Sequence, residues 1–331
     1  MRIAITADPF IPVPPHHYGG IERIIDFLVR GLIARGHDVL LVAHKDSTID
    51  APLLAYPDGK GHSGNIISLS GLRHFNPDII HSFSRLAYLL PFMRSPVPKL
   101  MSYQREPTIR QVKLAKMLIR SLSFTGCSNY ISDKIRPYAD VETVYNGLDM
   151  TKFTFRERVS PDAPLLFLGR IEFIKGTHIA IKVAKRAGKR LVIAGNIPEN
   201  EQRYFADEIQ PHLDENVEYA GPVNDEEKSK LLGKGLALLM PIQWNEPFGI
   251  VMVEAMACGT PVIGFGTGAV PEVIQNDLNG FVCANEGEMI DRVHQINQID
   301  RTAVFEDCQR RFSADAIVDH YLSIYEKLVT T

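Results

Sequence analysis

Short runs of aliphatic and β-branched residues alternate with amphipathic segments along the whole sequence, a pattern that predicts strand, helix and strand units around a mostly parallel sheet. RIAITA at residues 2–7 reads as a buried strand. After a proline-rich loop, residues 20–35 place Ile21, Ile24, Ile25, Leu28, Leu32 and Ile33 on one helical face. Gly36 stops that helix and HDVLLVAH supplies the next strand. DIIHSF, KLMSYQ, SFTGCS and VETVYNG continue the series, and PLLFLGR, RLVIAG, VEYAG, LALLMPI and PVIGF form a second one. The break between them falls near residues 150–162, where TKFTFRERVSPDAP combines charge with two prolines. The last segment, FSADAIVDHYLSIYEKLV, predicts a helix capped by Ser313 with a stripe of Ile317, Tyr321, Ile324 and Leu328.

The expected fold class is α/β, two Rossmann-like domains facing a cleft, with ligands at the carboxyl ends of the strands. The boundaries expected are 1–152, 153–312 and a terminal helix over 313–331 that packs back toward the first domain. A length of 331 residues agrees with two domains that each bury a core.

Composition narrows the function classes. With 45% hydrophobic and 23% charged residues the chain is neither disordered nor fibrous. A net charge of −3 argues against nucleic acid as a partner, since such binders need a basic surplus to displace counterions. Cys127, Cys258, Cys283 and Cys308 are widely spaced, so neither a zinc site nor a disulfide framework is expected. MRIAIT leads straight into a strand without a secretory pattern, and no run of about 18 apolar residues occurs, which together predict a cytoplasmic protein. Residues 1–150 hold 17 Lys and Arg against 13 Asp and Glu, whereas the remainder has a deficit of seven. Part of that surplus lies in a predicted helix over 108–120, where Arg110, Lys113, Lys116 and Arg120 share a face. That face is either simply solvated or a site for an anionic acceptor or an anionic membrane, the last implying a location peripheral to the inner membrane face.

The richest window is QWNEPFGIVMVEAMACGTPVIGFG at residues 243–266. Glu246 precedes a helix predicted over Phe248–Cys258, and Glu254 lies inside it among apolar residues. A carboxylate in such company costs several kcal/mol to bury unless it is paired. A helical rise would separate the two carboxylates by about 12 Å, comparable with the distance from ribose to hexose in a nucleotide sugar. Backbone N–H groups near Phe248, Gly249 and Ile250 make an anion site at the helix start. The competing reading is a capping Glu246 and a structural Glu254.

The string E-P-F-G-I-V-M-V-E followed by A-x-A-C-G-T-P-V-I resembles the family 4 retaining glycosyltransferases, whose fold is the two-Rossmann GT-B arrangement. The resemblance implies that Glu246 contacts the donor-sugar hydroxyls and Glu254 the ribose hydroxyls. In LGRIEFIKG, two cations at one strand-loop-helix junction can clamp a diphosphate, and the family uses the matching Arg170 and Lys175 in that way. Gly19 and Gly20 in PPHHYGGIERI match the family loop that meets the diphosphate from the N-terminal, acceptor-side domain, and VYNGLD places Asn146 near the cleft. VEYAGPV resembles the strand that borders the nucleobase, making Gly221 and Pro222 wall residues. His81 falls at a family histidine position on the acceptor or sugar side, although a lone histidine at a strand end is more often a structural one.

One position departs from the family pattern. Where many relatives carry a histidine, this chain has Gln104 followed by Arg105, which removes a titrating base but leaves groups able to hold a sugar or an acidic acceptor. No D-x-D occurs, so no metal or other cofactor is expected. The resemblance thus implies transfer of a hexose, from UDP-sugar in preference to other donors, to a hydroxyl of a glycan, lipid-linked or small-molecule acceptor. The implied mechanism is front-face, the leaving phosphate accepting the proton. Alternatives are a nucleotide-sugar epimerase or hydrolase on the same fold, and a nucleotide-sugar-binding protein without transfer, marked by Gln104. A dehydrogenase fits worst, as no G-x-G-x-x-G follows the first strand.

Overall fold

The computed structural model describes residues 1–16 and 19–330, which divide into two units, Met1–Leu148 with Ala314–Thr331, and Asp149–Ser313. Seven strands build the first sheet: β1 (Arg2–Thr6), β2 (Asp38–Ala43), β3 (Leu53–Ala55), β4 (Ile79–Ser82), β5 (Lys99–Tyr103), β6 (Leu122–Gly126) and β7 (Val141–Thr143). All pair in parallel, in the order β3-β2-β1-β4-β5-β6-β7. The second sheet contains β8 (Leu165–Leu168), β9 (Leu191–Ala194), β10 (Val217–Gly221), β11 (Ala237–Met240), β12 (Val262–Phe265) and β13 (Gly280–Cys283). Its order is β10-β9-β8-β11-β12-β13, again parallel.

Burial follows position in the sheets. The inner strands β4, β5 and β11 are buried at every residue, as expected where helices cover both faces. The edge strands β3 and β7 have three residues each and are only half covered, which limits the unpaired backbone they present. In each sheet the strand order reverses once, between β1 and β4 and between β8 and β11. Connections leave in opposite directions there and open a crevice at the carboxyl ends of the strands, the ligand position in open α/β sheets.

In the first unit, the helix Gly20–Ala34 buries Ile24, Ile25, Leu28 and Leu32, while Ile33 turns out to be exposed. The helix Ala314–Thr330 packs against it. A Cβ on Gly31 would come within 2.6 Å of Val318, and Arg35 pairs with Asp315 at 3.0 Å and Asp319 at 2.7 Å. The predicted stripe is buried at Ile317, Tyr321 and Ile324 and only partly so at Leu328.

In the second unit, Ile250–Ala257 is helical and drives Met252, Val253, Ala255 and Met256 into the core. The helix starts two residues later than the sequence pattern predicts, because Gly249 takes a left-handed conformation (φ 79°) at its N-cap. Glu246 therefore lies in the preceding loop, and the separation of about 12 Å based on a continuous helix does not apply. Arg301 braces this unit from beneath. Its guanidinium donates to the carbonyls of Arg156, Gly235, Gly233 and Cys258 and to the Thr260 hydroxyl. Among the described residues, no helix is long and apolar enough to cross a membrane.

Candidate functional site

The reversal point of the second sheet brings together Arg170, Lys175 and Glu246. The chain leaves β8 through Gly169 and Arg170 into a helical turn, Phe173–Lys175, and leaves β11 into the loop that carries Gln243, Trp244 and Glu246. Gln243 ties the two loops together, donating from its backbone N–H to the Ile174 carbonyl at 2.8 Å and from Nε2 to the Phe173 carbonyl at 2.7 Å. Gly176, the last letter of R-x4-K-G, sits at φ 78° with the Pro241 carbonyl oxygen 2.1 Å from where a Cβ would stand. Only glycine allows these segments to approach so closely.

Lys175 and Glu246 meet as a result, Nζ to Oε2 at 2.7 Å, both largely shielded from solvent. The indole N–H of Trp244 donates to the same carboxylate oxygen at 3.1 Å, and Lys175 Nζ lies 5.1 Å from the indole centroid. Glu246 is fixed from behind as well, its carbonyl accepting from the Ala269 N–H at 2.9 Å. Arg170 pairs with Glu172 at 2.8 Å, and the second Glu172 oxygen is buried without a partner. Each cation assigned to a diphosphate thus already holds a carboxylate.

The helix Ile250–Ala257 begins beside this pair. Its first N–H groups, at Gly249 and Ile250, have no intrahelical acceptor, so they can serve an anion. Phe248 contributes otherwise: its ring is buried in a T-shaped contact with Phe312, centroids 5.9 Å apart, so only its backbone can meet a ligand. Glu254 is 8% exposed and accepts from Lys228 Nζ at 2.5 Å, the charge partner its apolar surroundings require. Lys228 lies in the helix Asp225–Lys234 and also reaches Asp225 at 3.5 Å. Gly221 ends β10 with φ 78° and open space where a Cβ would project, and Pro222 after it is exposed. Lys228, Trp244 and Glu172 were not singled out by motif. A lysine 26 residues from its partner gives no sequence signal, although the lone Trp244 two residues before Glu246 could have drawn notice.

Gly19, Gly20, His81, Gln104, Arg105 and Asn146 belong to the first unit. A Cβ on Gly19 would meet Pro15 at 2.7 Å and the Glu22 carboxylate at 2.8 Å, so this glycine serves close packing, whereas Gly20 faces open space. Burial holds the Glu22 carboxyl above its usual pKa, with Asp8 adding to the effect. Asn146 is nearly buried beyond β7.

His81 stands apart from the other candidates. It is fully buried, its Nδ1 2.6 Å from the Tyr325 hydroxyl and its Nε2 2.7 Å from Ser102 Oγ, and Ser102 continues to Thr125 at 2.5 Å. Burial depresses its pKa to about 3. With both ring nitrogens engaged in the core, His81 braces β4 against the terminal helix; the acceptor-side placement expected from the sequence does not agree with this geometry. Gln104 and Arg105, just past β5, instead line an open cavity of about 590 Å³. In the basic segment, Lys113 lies over the Tyr138 ring and Lys116 donates to the Leu122 carbonyl. The helix there, Ile109–Leu118, ends before Arg120, so the four cations do not form one helical face.

Two parallel α/β sheets of this topology, with a cation and carboxylate cluster at the second reversal point, define a GT-B glycosyltransferase fold. Residues 151–309 match the model of the family described as glycosyl transferases group 1. Glycogen synthase of Mycobacterium tuberculosis is 26% identical over 354 residues, covering 86% of this chain and 82% of that one. Among solved structures, AviGT4, a glycosyltransferase involved in avilamycin A biosynthesis, superposes with a TM-score of 0.77 at 24% identity, covering 99% and 98% of the two chains. The Anabaena HepE complex with UDP-glucose gives 0.75 at 16% identity over 99% and 100%.

Proposed function

We propose that this glycosyltransferase moves a hexose from a UDP-sugar to an acceptor hydroxyl with retention of anomeric configuration and without a metal ion. The observation that carries the reading is the 2.7 Å pair of Lys175 and Glu246 at the reversal point of the second sheet, with Arg170 and a helix start beside it. Arg170, Lys175 and the N–H groups of Gly249 and Ile250 take the diphosphate and stabilise its charge as it leaves. Glu246 accepts from the sugar hydroxyls and Glu254, oriented by Lys228, from the ribose hydroxyls; Gly221 leaves space for the base. The acceptor oxygen bonds to the anomeric carbon on the face from which the phosphate departs, and its proton goes to the departing phosphate oxygen. Uridine is favoured because HepE, of the same fold, is a complex with UDP-glucose.

Titration with UDP, GDP, ADP and their hexose conjugates tests this directly. Trp244 is the sole tryptophan and bonds to Glu246, so its fluorescence reports arrival of the sugar. A UDP-selective rise in thermal stability that is lost in Glu254→Ala, with an α-configured product by NMR from an α-configured donor, is the expected result. Absence of any nucleotide effect, or an inverted product, would overturn it.

A further inference from the structure

The first unit holds a cavity that none of the donor-site residues uses. Apolar residues, Leu86, Leu90, Leu114, Leu118 and Ile119 among them, make up much of its lining. Leu114 and Leu118 come from the helix Ile109–Leu118, and Leu90, Leu114 and Leu118 are each at least two-fifths exposed. Large apolar side chains left in water beside an open cavity mark a surface that something apolar covers.

The charged groups that line the same cavity are Arg85, Arg105 and Glu106. Arg85 follows β4 and Arg105 follows β5, both exposed, and neither has an acidic partner among the described residues. The nearby acid, Glu106, is already held by Lys134 at 2.8 Å and by the Tyr130 hydroxyl. Two unpaired guanidiniums therefore face the cavity with no local charge to balance them, a match for a phosphate or carboxylate. Gln104, which lines the same cavity, has its Oε1 buried and without a donor. A hydroxyl group would supply one.

We infer that this cavity binds the acceptor, and that the acceptor is a single-chain amphiphile: an alkyl or acyl chain against Leu86, Leu90, Leu114 and Leu118, an anionic group on Arg85 and Arg105, and a hydroxyl donating to Gln104. The inference rests on the transferase reading above and adds the acceptor class to it.

The probe is 1-O-octylglycerol 3-phosphate, which has the chain, the anion and a free hydroxyl, kept below its micellar concentration and titrated into the full chain by calorimetry. Octyl glucoside supplies the chain without the anion, glycerol phosphate the anion without the chain, and anionic vesicles a bilayer surface. Saturable binding of the octyl compound is expected, weakened about tenfold or more in Arg85→Gln/Arg105→Gln and in Leu114→Glu, with UDP affinity unchanged in both. Because all three positions are exposed, the variants keep the fold, and unchanged UDP binding verifies it. Equal binding of glycerol phosphate, binding to vesicles alone, or unchanged affinity in the variants would overturn the inference. Amphiphile binding without any nucleotide effect would instead defeat the transferase reading and leave the cavity's ligand class standing, whereas UDP binding with no response to the amphiphile would defeat only the acceptor class.

Discussion

Lys228 donates to Glu254 at 2.5 Å, joining the one carboxylate inside the helix Ile250–Ala257 to a cation on the neighbouring helix Asp225–Lys234. The bond explains how an acid survives among Val253, Ala255, Met256 and Ala257, all fully buried. It also makes Lys228 a positioning residue for whatever Glu254 binds. Lys228→Met should weaken UDP binding nearly as much as Glu254→Ala and cost about 3 kcal/mol of stability, since it strands a buried charge. Calorimetry on both single variants and the double variant checks this. Additive losses would mean that the two residues act separately.

Lys175 is expected to supply charge that a divalent ion would supply elsewhere. Lys175→Ala should lower turnover about 100-fold or more while leaving the fold intact, and EDTA should not affect the wild-type rate. Initial rates with and without chelator decide the point. Loss in EDTA with recovery in magnesium would place the electrostatic role on a metal.

The buried His81 gives stability an acid limb. In the unfolded chain its imidazole takes a proton near pH 6.5, whereas in the core it stays neutral down to about pH 3. Between those values the unfolded state binds more protons, so the contribution is complete above pH 6.5 and declines at about 1.4 kcal/mol per pH unit as the pH falls. Urea melts from pH 7 to pH 4 should show this slope, reduced in His81→Gln.

Arg301 satisfies four carbonyls and one hydroxyl, with no carboxylate paired to it among the described residues, and burial lowers its pKa to about 10. Arg301→Met should destabilise the second unit by about 3 kcal/mol or more, because several buried acceptors lose their donors together. Arg301→Lys should recover only part of that, since an ammonium lacks the planar fork. Thermal melts of the two variants measure the difference, and a melting temperature unchanged in Arg301→Met would contradict it.

Much of the fold could be read from the letters because the inner strands of parallel sheets are continuous apolar runs. RIAIT, KLMSY and ALLM stand out for that reason. The strands Leu53–Ala55 and Gly280–Cys283 did not, because both are short edge strands without a distinctive apolar run, even though the second is mostly buried. At the site, Arg170, Lys175, Glu246 and Glu254 were legible through a dense motif with fixed spacing. Their partners were not: Glu172, Trp244 and Lys228 matter only through the tertiary approach of loops and helices. The same holds for Gly268, which packs onto Glu246 so closely that a Cβ would lie 2.4 Å from its carbonyl oxygen. His81 shows the reverse error, a residue matched by position whose burial gives it another task.

The ion pair between Lys175 and Glu246 has a consequence for how ligands are told apart. A diphosphate that draws Lys175 to itself leaves Glu246 with the indole N–H alone, and the loss is made good only by a ligand bringing hydroxyl donors of its own. Nucleoside diphosphate and sugar are then recognised as one object. Under the proposed transferase reading, the bare nucleotide left after transfer would not restore what its arrival broke, so product would be held less firmly than donor and the pocket would empty itself between turnovers.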